Sequence, residues 1–212
     1  MTSRPVSETG GRAPRHERLG YDGMEMALHW ATALLVVTLY ALSQVWSFLP
    51  RGTPVRLDMQ EVHVSLGILL AAVVVTRIVW RLGPGRRLPP ATTGLTEVAS
   101  EIVHYALYAL LIAVVVLGFC FRWALQVPLT FFGLFAIPSP YPFAKAQAGA
   151  IGTLHWWVAT TIIVLAGGHA AAALFHHFVL RDDVLLRMLP RRTVSGAARA
   201  REATGRQGAS RG

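Results

Sequence analysis

Long uncharged stretches alternate with short polar segments along most of the chain. Charged residues are absent from residues 26–50, 62–76, 102–121 and 146–180. A helix rises about 1.5 Å per residue, so about 20 apolar residues cross the ~30 Å hydrocarbon core of a bilayer. The second stretch is shorter than a full span, but Arg77, Trp80 and Arg81 directly follow its end and can anchor the helix at the interface. The pattern predicts four transmembrane helices, at about residues 24–48, 60–81, 101–123 and 151–179.

The remaining segments predict two tails and a surface segment around one folded unit. Residues 1–20 are polar without an apolar period, and residues 191–212 are basic and of low complexity, so both tails are predicted to be disordered. Residues 21–190 form the predicted membrane domain. Within it, residues 124–144 are apolar but carry four prolines, which break a continuous helix. We expect this segment to lie at the membrane surface over the bundle, because unpaired backbone does not cross lipid.

Composition supports a membrane protein and excludes several kinds of site. Of the 212 residues, 53% are hydrophobic and only 15% are charged, against about 25% charged in soluble domains. The predicted fold class is therefore an all-α membrane protein with a bundle of four transmembrane helices. Cys120 is the only cysteine, so the chain forms no internal disulfide, and without a CxxCH motif it does not attach a c-type haem.

The net charge of +9 is unevenly distributed between the two sides of the predicted bundle. Four basic residues lie in the N-terminal tail, four around the connection between helices 2 and 3, and eight in the C-terminal region. Only four lie on the other side: Arg51, Arg56, Arg122 and Lys145. The positive-inside rule therefore predicts a multi-pass membrane protein with both termini in the cytoplasm. Anionic lipid then accounts for the basic surface, and no nucleic-acid partner is expected.

Four of the eight histidines form two pairs when helix direction is considered. His155 and His169 are 14 residues apart in helix 4, which puts them within about 40° on one face and ~21 Å apart in depth. Helix 2 begins at the outer side with His63, and helix 1 begins at the cytoplasmic side with His29. Depth therefore predicts an outer pair, His63 with His155, and a cytoplasmic pair, His29 with His169.

Two facing imidazoles at one depth inside a helix bundle are typical of haem b. The porphyrin supplies four equatorial nitrogens and leaves two axial positions for histidine. We therefore predict two haems b, with His63 and His155 on the outer iron and His29 and His169 on the cytoplasmic iron. Gly67, Gly167 and Gly168 are candidates to leave room for the macrocycle, and the alternative is small-residue helix packing. Iron with both axial positions filled favours outer-sphere electron transfer over substrate binding.

Other residues remain as alternatives or as additional contacts. His104 and His176 are rival ligands for the cytoplasmic haem, His176 because it follows His169 by seven residues on nearly the same face. His104 is otherwise interpreted as a structural or propionate contact. Arg77 and Arg81 are candidate partners of the cytoplasmic propionates, and the alternative is positive-inside anchoring.

Three stretches of the chain resemble the bacterial cytochrome b561 family. They are MALHWATALLV, LPRGTPVRLDMQEVHVSLG and, most distinctively, GGHAAAALFHHFVLRDDVLLRMLPRR. The resemblance covers roughly residues 20–192 and implies a four-helix, di-haem protein of the inner membrane. Its haem ligands fall on the same four histidines that depth and phase select, namely His29, His63, His155 and His169.

The resemblance also implies a reaction. Family members include superoxide oxidases, which pass an electron from superoxide at the outer face through the haems to ubiquinone. The outer cations Arg51, Arg56 and Arg122 are candidates to steer an anion, although they equally anchor helix ends. This chain departs from the family pattern around His155, where Gly152, Thr153 and Trp156 stand in place of a lysine and a glutamate.

Two alternative functions remain. Related four-helix proteins act as cytochrome b subunits between quinone and a periplasmic dehydrogenase or hydrogenase, often with an additional helix. The other alternative is a histidine-lined transporter or channel. No carboxylate lies within the four apolar stretches, which disfavours a proton or cation relay.

Overall fold

The computed structural model describes residues 21–85 and 94–189 of the chain. Four long helices dominate it: α1 (Gly23–Ser47), α2 (Pro54–Leu82), α3 (Leu95–Ala124) and α4 (Ala148–Phe175). All four are long and apolar enough to cross a membrane, the last as part of the helical segment Lys145–Leu180. The predicted four-helix membrane fold is confirmed, while the predicted tails lie outside the described residues.

The four helices pack side by side around a narrow apolar core. α1 packs mainly against α2 and α3 against α4, and contacts from α2 to α3 and from α1 to α4 close the bundle. The core consists of six buried aliphatic residues from all four helices: Leu39, Leu70, Val74, Leu111, Val114 and Ile162. Many other large apolar side chains remain exposed on the outer surface of the bundle. This distribution suits helices surrounded by lipid rather than by water.

α2 and α3 extend beyond their uncharged stretches at both ends, whereas α4 lies within its own. α2 begins at Pro54 rather than at about residue 60, and α3 begins at Leu95 rather than at about residue 101. The additional first turns carry charged residues, such as Arg56 in α2 and Glu97 in α3, which a search for uncharged stretches excludes. Proline is favourable in the first turn of α2, where its missing N–H has no partner to lose.

The segment between α3 and α4 forms a short hairpin that the sequence pattern did not predict. Strands β1 (Leu129–Phe131) and β2 (Phe135–Ile137) pair antiparallel, with Leu129 opposite Ile137. The turn uses Gly133, whose φ of +73° suits a residue without a side chain. Pairing the two strands satisfies backbone groups in an apolar segment. Leu129 is almost fully buried, so the hairpin packs on the bundle.

The end of α4 changes its helical form before the chain turns away. The α-helix continues into a π-helical turn, His176–Leu180, and Arg181 then adopts a left-handed conformation with φ of +56°. A 3₁₀ helix, Leu185–Met188, follows and contacts the start of α1, where Trp30 Nε1 donates to Met188 O at 2.9 Å.

Candidate functional site

Two pairs of histidines face each other across the bundle. His63 of α2 and His155 of α4 have ring centroids 6.4 Å apart. His29 of α1 and His169 of α4 have ring centroids 6.5 Å apart. These are the two pairs that helix direction and phase predict, and the buried aliphatic core lies between them.

Both separations fit two axial ligands of one metal ion. An imidazole nitrogen lies about 2.0 Å from a first-row metal and about 1.1 Å from its own ring centroid, so two opposed imidazoles place their centroids roughly 6.2 Å apart. The observed 6.4 and 6.5 Å agree with this estimate. Direct contact between the rings, at 4.5–7 Å, also spans these values, so the surroundings of each pair decide the interpretation.

At the outer pair, backbone carbonyls fix both imidazoles in the tautomer that a metal needs. His63 Nδ1 lies 3.1 Å from Leu39 O, and His155 Nδ1 lies 3.0 Å from Val114 O. Since a carbonyl only accepts, each Nδ1 carries the proton and donates it. Nε2 of each ring is then unprotonated and available as a ligand, as in metal sites with an orienting hydrogen bond.

A cavity of about 460 Å³ surrounds the outer pair. Its volume lies in the range of cofactor pockets, about 300–1,000 Å³. Three glycines line it, one from each of three helices. A Cβ on Gly67 would meet nothing within 4 Å, whereas one on Gly118 would lie 3.1 Å from His155 Cε1 and one on Gly152 would lie 2.7 Å from the Phe121 ring. The donor set and this glycine-lined space fit a haem b at the outer pair.

The cytoplasmic pair has a more crowded environment. Arg77 Nη2 donates to His29 Nδ1 at 3.1 Å, so in a neutral imidazole Nε2 carries the proton. Ligation through Nε2 therefore requires this contact to change. His104 lies with its ring centroid 5.1 Å from that of His169, closer than His29 does. The pair's spacing fits a haem, while the competition between His29 and His104 predicted from sequence stays open.

The arginines near the cytoplasmic pair have protein partners. Arg77 Nε also donates to Tyr108 Oη at 2.9 Å. Arg81 Nη1 donates to Glu25 Oε1 at 2.9 Å, and Glu25 is only 4% exposed. Arg77 thus lies beside a predicted ligand, whereas Arg81 anchors the start of α1. Contact of either with haem propionates remains a prediction.

His176 lies against a carboxylate rather than in a histidine pair. Its Nδ1 is 2.5 Å from Asp182 Oδ2, and Asp182 Oδ1 accepts from Val184 N at 3.1 Å. Burial tends to raise the pKa of Asp182, but hydrogen bonds from His176 and Val184 N outweigh it and hold the pKa below its usual value. This contact orients His176 toward the chain's turn after α4.

The three outer arginines differ in their surroundings. Arg51 is exposed in the turn between α1 and α2. Arg56 Nη1 donates to Trp46 O at 2.9 Å and to Leu49 O at 2.6 Å, at the end of α1. Arg122 lines the outer cavity, where its Nη2 donates to Glu61 Oε1 and its Nε to Pro128 O at 3.0 Å. Only Arg122 therefore combines a position at the cavity with an acidic partner.

The profile of one protein family, described as prokaryotic cytochrome b561, matches residues 20–191. The chain belongs to this family. Membership in the cytochrome b561 family identifies a multi-pass bacterial membrane protein for electron transfer and implies b-type haem. The predicted family and electron-transfer class are thereby confirmed.

Three curated relatives align with most of the chain. "Cytochrome b561 homolog 2" of Escherichia coli K12 is 36% identical over 170 residues, 80% of this chain and 90% of the relative. "Cytochrome b561 homolog 1" of the same organism is 31% identical over 174 residues, 81% of this chain and 98% of the relative. "Probable superoxide oxidase CybB" of Yersinia pestis is 28% identical over 173 residues, 81% of this chain and 97% of the relative.

Several residues of the outer site escaped the sequence prediction. Gly118 lines the cavity but has no histidine one turn away in the sequence, unlike Gly67. Gly152, three residues before His155, was noted only as a departure from the family pattern and not as a cavity residue. Trp46 packs its ring edge-on against His63, with centroids 4.9 Å apart. Glu61 was missed as the partner of Arg122, although its spacing of two residues from His63 places it at the same end of α2. The cytochrome b561 fold thus contributes more to the site than its four histidines.

Proposed function

We propose that this cytochrome carries electrons across the membrane through two b-type haems, each held by two histidines. His63 and His155 hold the outer haem, and His29 and His169 hold the cytoplasmic haem. The observation that carries this proposal is the outer pair, because its ring spacing, its two Nδ1–carbonyl hydrogen bonds and its glycine-lined cavity all suit the same ligand.

The protein's own contribution is to hold, orient and isolate the two centres. A haem b held by each of these histidine pairs would supply a one-electron centre suited to outer-sphere transfer. Leu39 O and Val114 O orient the outer imidazoles. The aliphatic core between the pairs keeps water from the space that separates them, and Leu70 and Ile162 are each only 3% exposed there.

For the substrates, we propose superoxide as the donor at the outer face and ubiquinone as the acceptor. Each superoxide loses one electron and becomes dioxygen, and two such electrons with two protons convert ubiquinone to ubiquinol. The Yersinia pestis relative, a probable superoxide oxidase at 28% identity, supports this choice. Arg51 and Arg56 provide positive charge near the outer end of the bundle, where they attract an anion.

The proposed orientation places the outer pair at the periplasmic face and both termini in the cytoplasm. It rests on the positive-inside rule, since sixteen of the twenty basic residues lie on the cytoplasmic side of this arrangement. Arg86, Arg87 and the arginines of the two tails contribute to this distribution but lie outside the described residues.

A second candidate is a cytochrome b subunit that exchanges electrons with a periplasmic dehydrogenase or hydrogenase. The observation favouring it is the exposed aromatic surface beside the outer cavity, where Trp156 is 48% exposed and Trp157 is 58% exposed. Tryptophan is enriched at protein contacts, although it is also common at the membrane interface. This alternative requires a partner protein for activity.

The decisive experiment is an optical redox titration with haem quantification on purified variants. Wild type is expected to hold two haems per chain, and His63→Ala and His169→Ala are each expected to lose one. His177→Ala is the matched control, since His177 lies outside both pairs and is expected to keep two. Loss of one haem from His29→Ala but not from His104→Ala would assign the cytoplasmic ligand. A wild type without b-type absorption bands would contradict the proposal.

The donor is tested with the same material. Wild type is expected to reduce a ubiquinone analogue when superoxide is generated enzymatically, and added superoxide dismutase is expected to abolish the reaction. Reduction that requires a separate dehydrogenase would favour the subunit instead.

A further inference from the structure

One ion pair joins a residue that lines the outer cavity, Arg122, to an exposed carboxylate, Glu61. Arg122 is the only lysine or arginine among the described residues that line this cavity, and its side chain is 12% exposed. The Glu61 side chain is 47% exposed and accepts from Arg122 through Oε1. Its second oxygen accepts from Thr130 Oγ1 of the hairpin at 3.3 Å. Glu61 is therefore the outward-facing member of the pair.

Glu61 changes the charge that an approaching molecule meets. A guanidinium at the cavity attracts anions, but a carboxylate in contact with it cancels most of that field. Arg56 also has bound partners, but they are the carbonyls Trp46 O and Leu49 O, which carry no full charge. The pairing with Glu61 thus removes most of the contribution of the one cation that lines the cavity among the described residues.

We propose that Glu61 determines the donor specificity of the outer site by neutralising Arg122 and so slowing electron transfer from anionic donors relative to neutral ones. This inference rests on the proposed function in one respect, that the outer pair holds the haem that receives the electron. It does not require superoxide to be the physiological donor.

The expected size follows from Coulomb's law. In water, removing one negative charge about 10 Å from the path of a monovalent anion raises its encounter rate about twofold. The increase is larger, up to about tenfold, when the cavity wall limits screening. Because the Debye length falls from about 30 Å at 0.01 M salt to about 3 Å at 1 M, the increase is expected to vanish at high salt.

The experiment compares haem-loaded wild type, Glu61→Gln and Asp58→Asn by stopped-flow spectroscopy. Asp58→Asn is a matched control, since it removes an exposed carboxylate one turn earlier in α2. Three donors are used: superoxide, the sulfur dioxide radical anion formed from dithionite, and a neutral hydroquinone. Glu61→Gln is expected to raise the rate constants of both anions about two- to tenfold at low salt. The neutral donor is expected to be unaffected, and Asp58→Asn to have a smaller effect.

Arg122→Gln is a second variant, and its expected effect on the anionic donors is opposite to that of Glu61→Gln, because it leaves the charge of Glu61 uncompensated. It is expected to slow both anions at low salt. Equilibrium spectroelectrochemistry gives a readout independent of rates: removing the carboxylate is expected to raise the midpoint potential of the outer haem, and removing the guanidinium to lower it. If the contact were only structural, the two substitutions would not shift the midpoint potential of the outer haem in opposite directions. They would also not change the salt dependence of the rate constants in opposite directions.

The outcomes separate this inference from the proposed donor. If superoxide does not reduce wild type but Glu61→Gln still accelerates the sulfur dioxide radical anion, the donor is wrong and the role of Glu61 stands. If superoxide reduces wild type and Glu61→Gln leaves both anionic rate constants unchanged, the role of Glu61 is refuted. Equal acceleration of the neutral donor would also refute it.

Discussion

Substitution of Gly67 by alanine is expected to stabilise the haem-free protein and, at the same time, to weaken the binding of haem. Gly67 lines the outer cavity one turn after His63, and a Cβ added to it meets nothing within 4 Å. In a helix interior, alanine is more favourable than glycine by about 1 kcal/mol. Gly67→Ala is therefore expected to stabilise the haem-free protein by up to about 1 kcal/mol. If the macrocycle fills the space over Gly67, the same methyl group overpacks the loaded site, at a cost of about 1–3 kcal/mol.

That cost corresponds to roughly five- to 150-fold weaker haem binding. The assay titrates haemin into the haem-free protein in nanodiscs, in a His169→Ala background so that only the outer pair is occupied. Thermal unfolding of the same samples without haemin measures the change in stability. Gly67→Leu is expected to weaken binding further, because the larger side chain extends into the cavity.

The control is Gly149→Ala, since Gly149 is also a helical glycine with open space around it but does not line the cavity. It is expected to gain stability without losing haem affinity. Equal haemin affinities for Gly67→Leu and its parent would refute the reasoning, because the macrocycle would then not occupy the space over Gly67.

Three further predictions concern the contacts that support the two ends of the bundle. Ser65→Ala removes the buried acceptor of Phe132 N, 2.9 Å away, and is expected to cost about 1–3 kcal/mol; unchanged hydrogen exchange of the hairpin would contradict this. Arg81→Met leaves Glu25 without its cation and is expected to lower the unfolding temperature, whereas adding Glu25→Met is expected to restore part of the loss. Because the pKa of Asp182 is lowered in the folded protein, its stabilising contribution is present above the ordinary carboxyl pKa and is lost as the pH falls through the lowered value. The part of the tryptophan fluorescence that Trp30→Phe removes reports on the adjoining 3₁₀ helix, and it is expected to show this acid transition in the wild-type background and not in Asp182→Asn.

Helix phase explains why the histidine pairs could be predicted from the sequence. A helix advances 100° per residue, so a 14-residue spacing fixes both the shared face and the difference in depth of His155 and His169. The apolar stretches fix the direction of each span, and direction decides that His63 lies at the level of His155. Neither step depends on side-chain packing, which explains the agreement with the facing rings of the structure.

Contacts between different helices, and between the helices and the hairpin, were harder to predict from the sequence. Gly118 lies on α3, and its role depends on the His155 ring passing 3.1 Å from where a Cβ would lie. The hairpin is held by Ser65, which accepts from Phe132 N across a separation of 67 residues. A local pattern of hydrophobic and polar residues contains no information about such pairings, because they depend on which helix faces meet. The prolines predicted a broken helix correctly but not the strands that replace it.

The hydrogen bonds of the histidines also explain why the two ends of the bundle differ. A helical carbonyl that already accepts from the N–H four residues ahead retains a second lone pair, so Leu39 O and Val114 O each bind an outer imidazole without breaking their helices. These acceptors belong to the backbone and cannot move away when a ligand enters. At the cytoplasmic pair, the partner of His29 is the long side chain of Arg77, which must change its contact before Nε2 can bind iron. The outer site is therefore set by the fold itself, whereas the cytoplasmic site depends on the rearrangement of one arginine side chain.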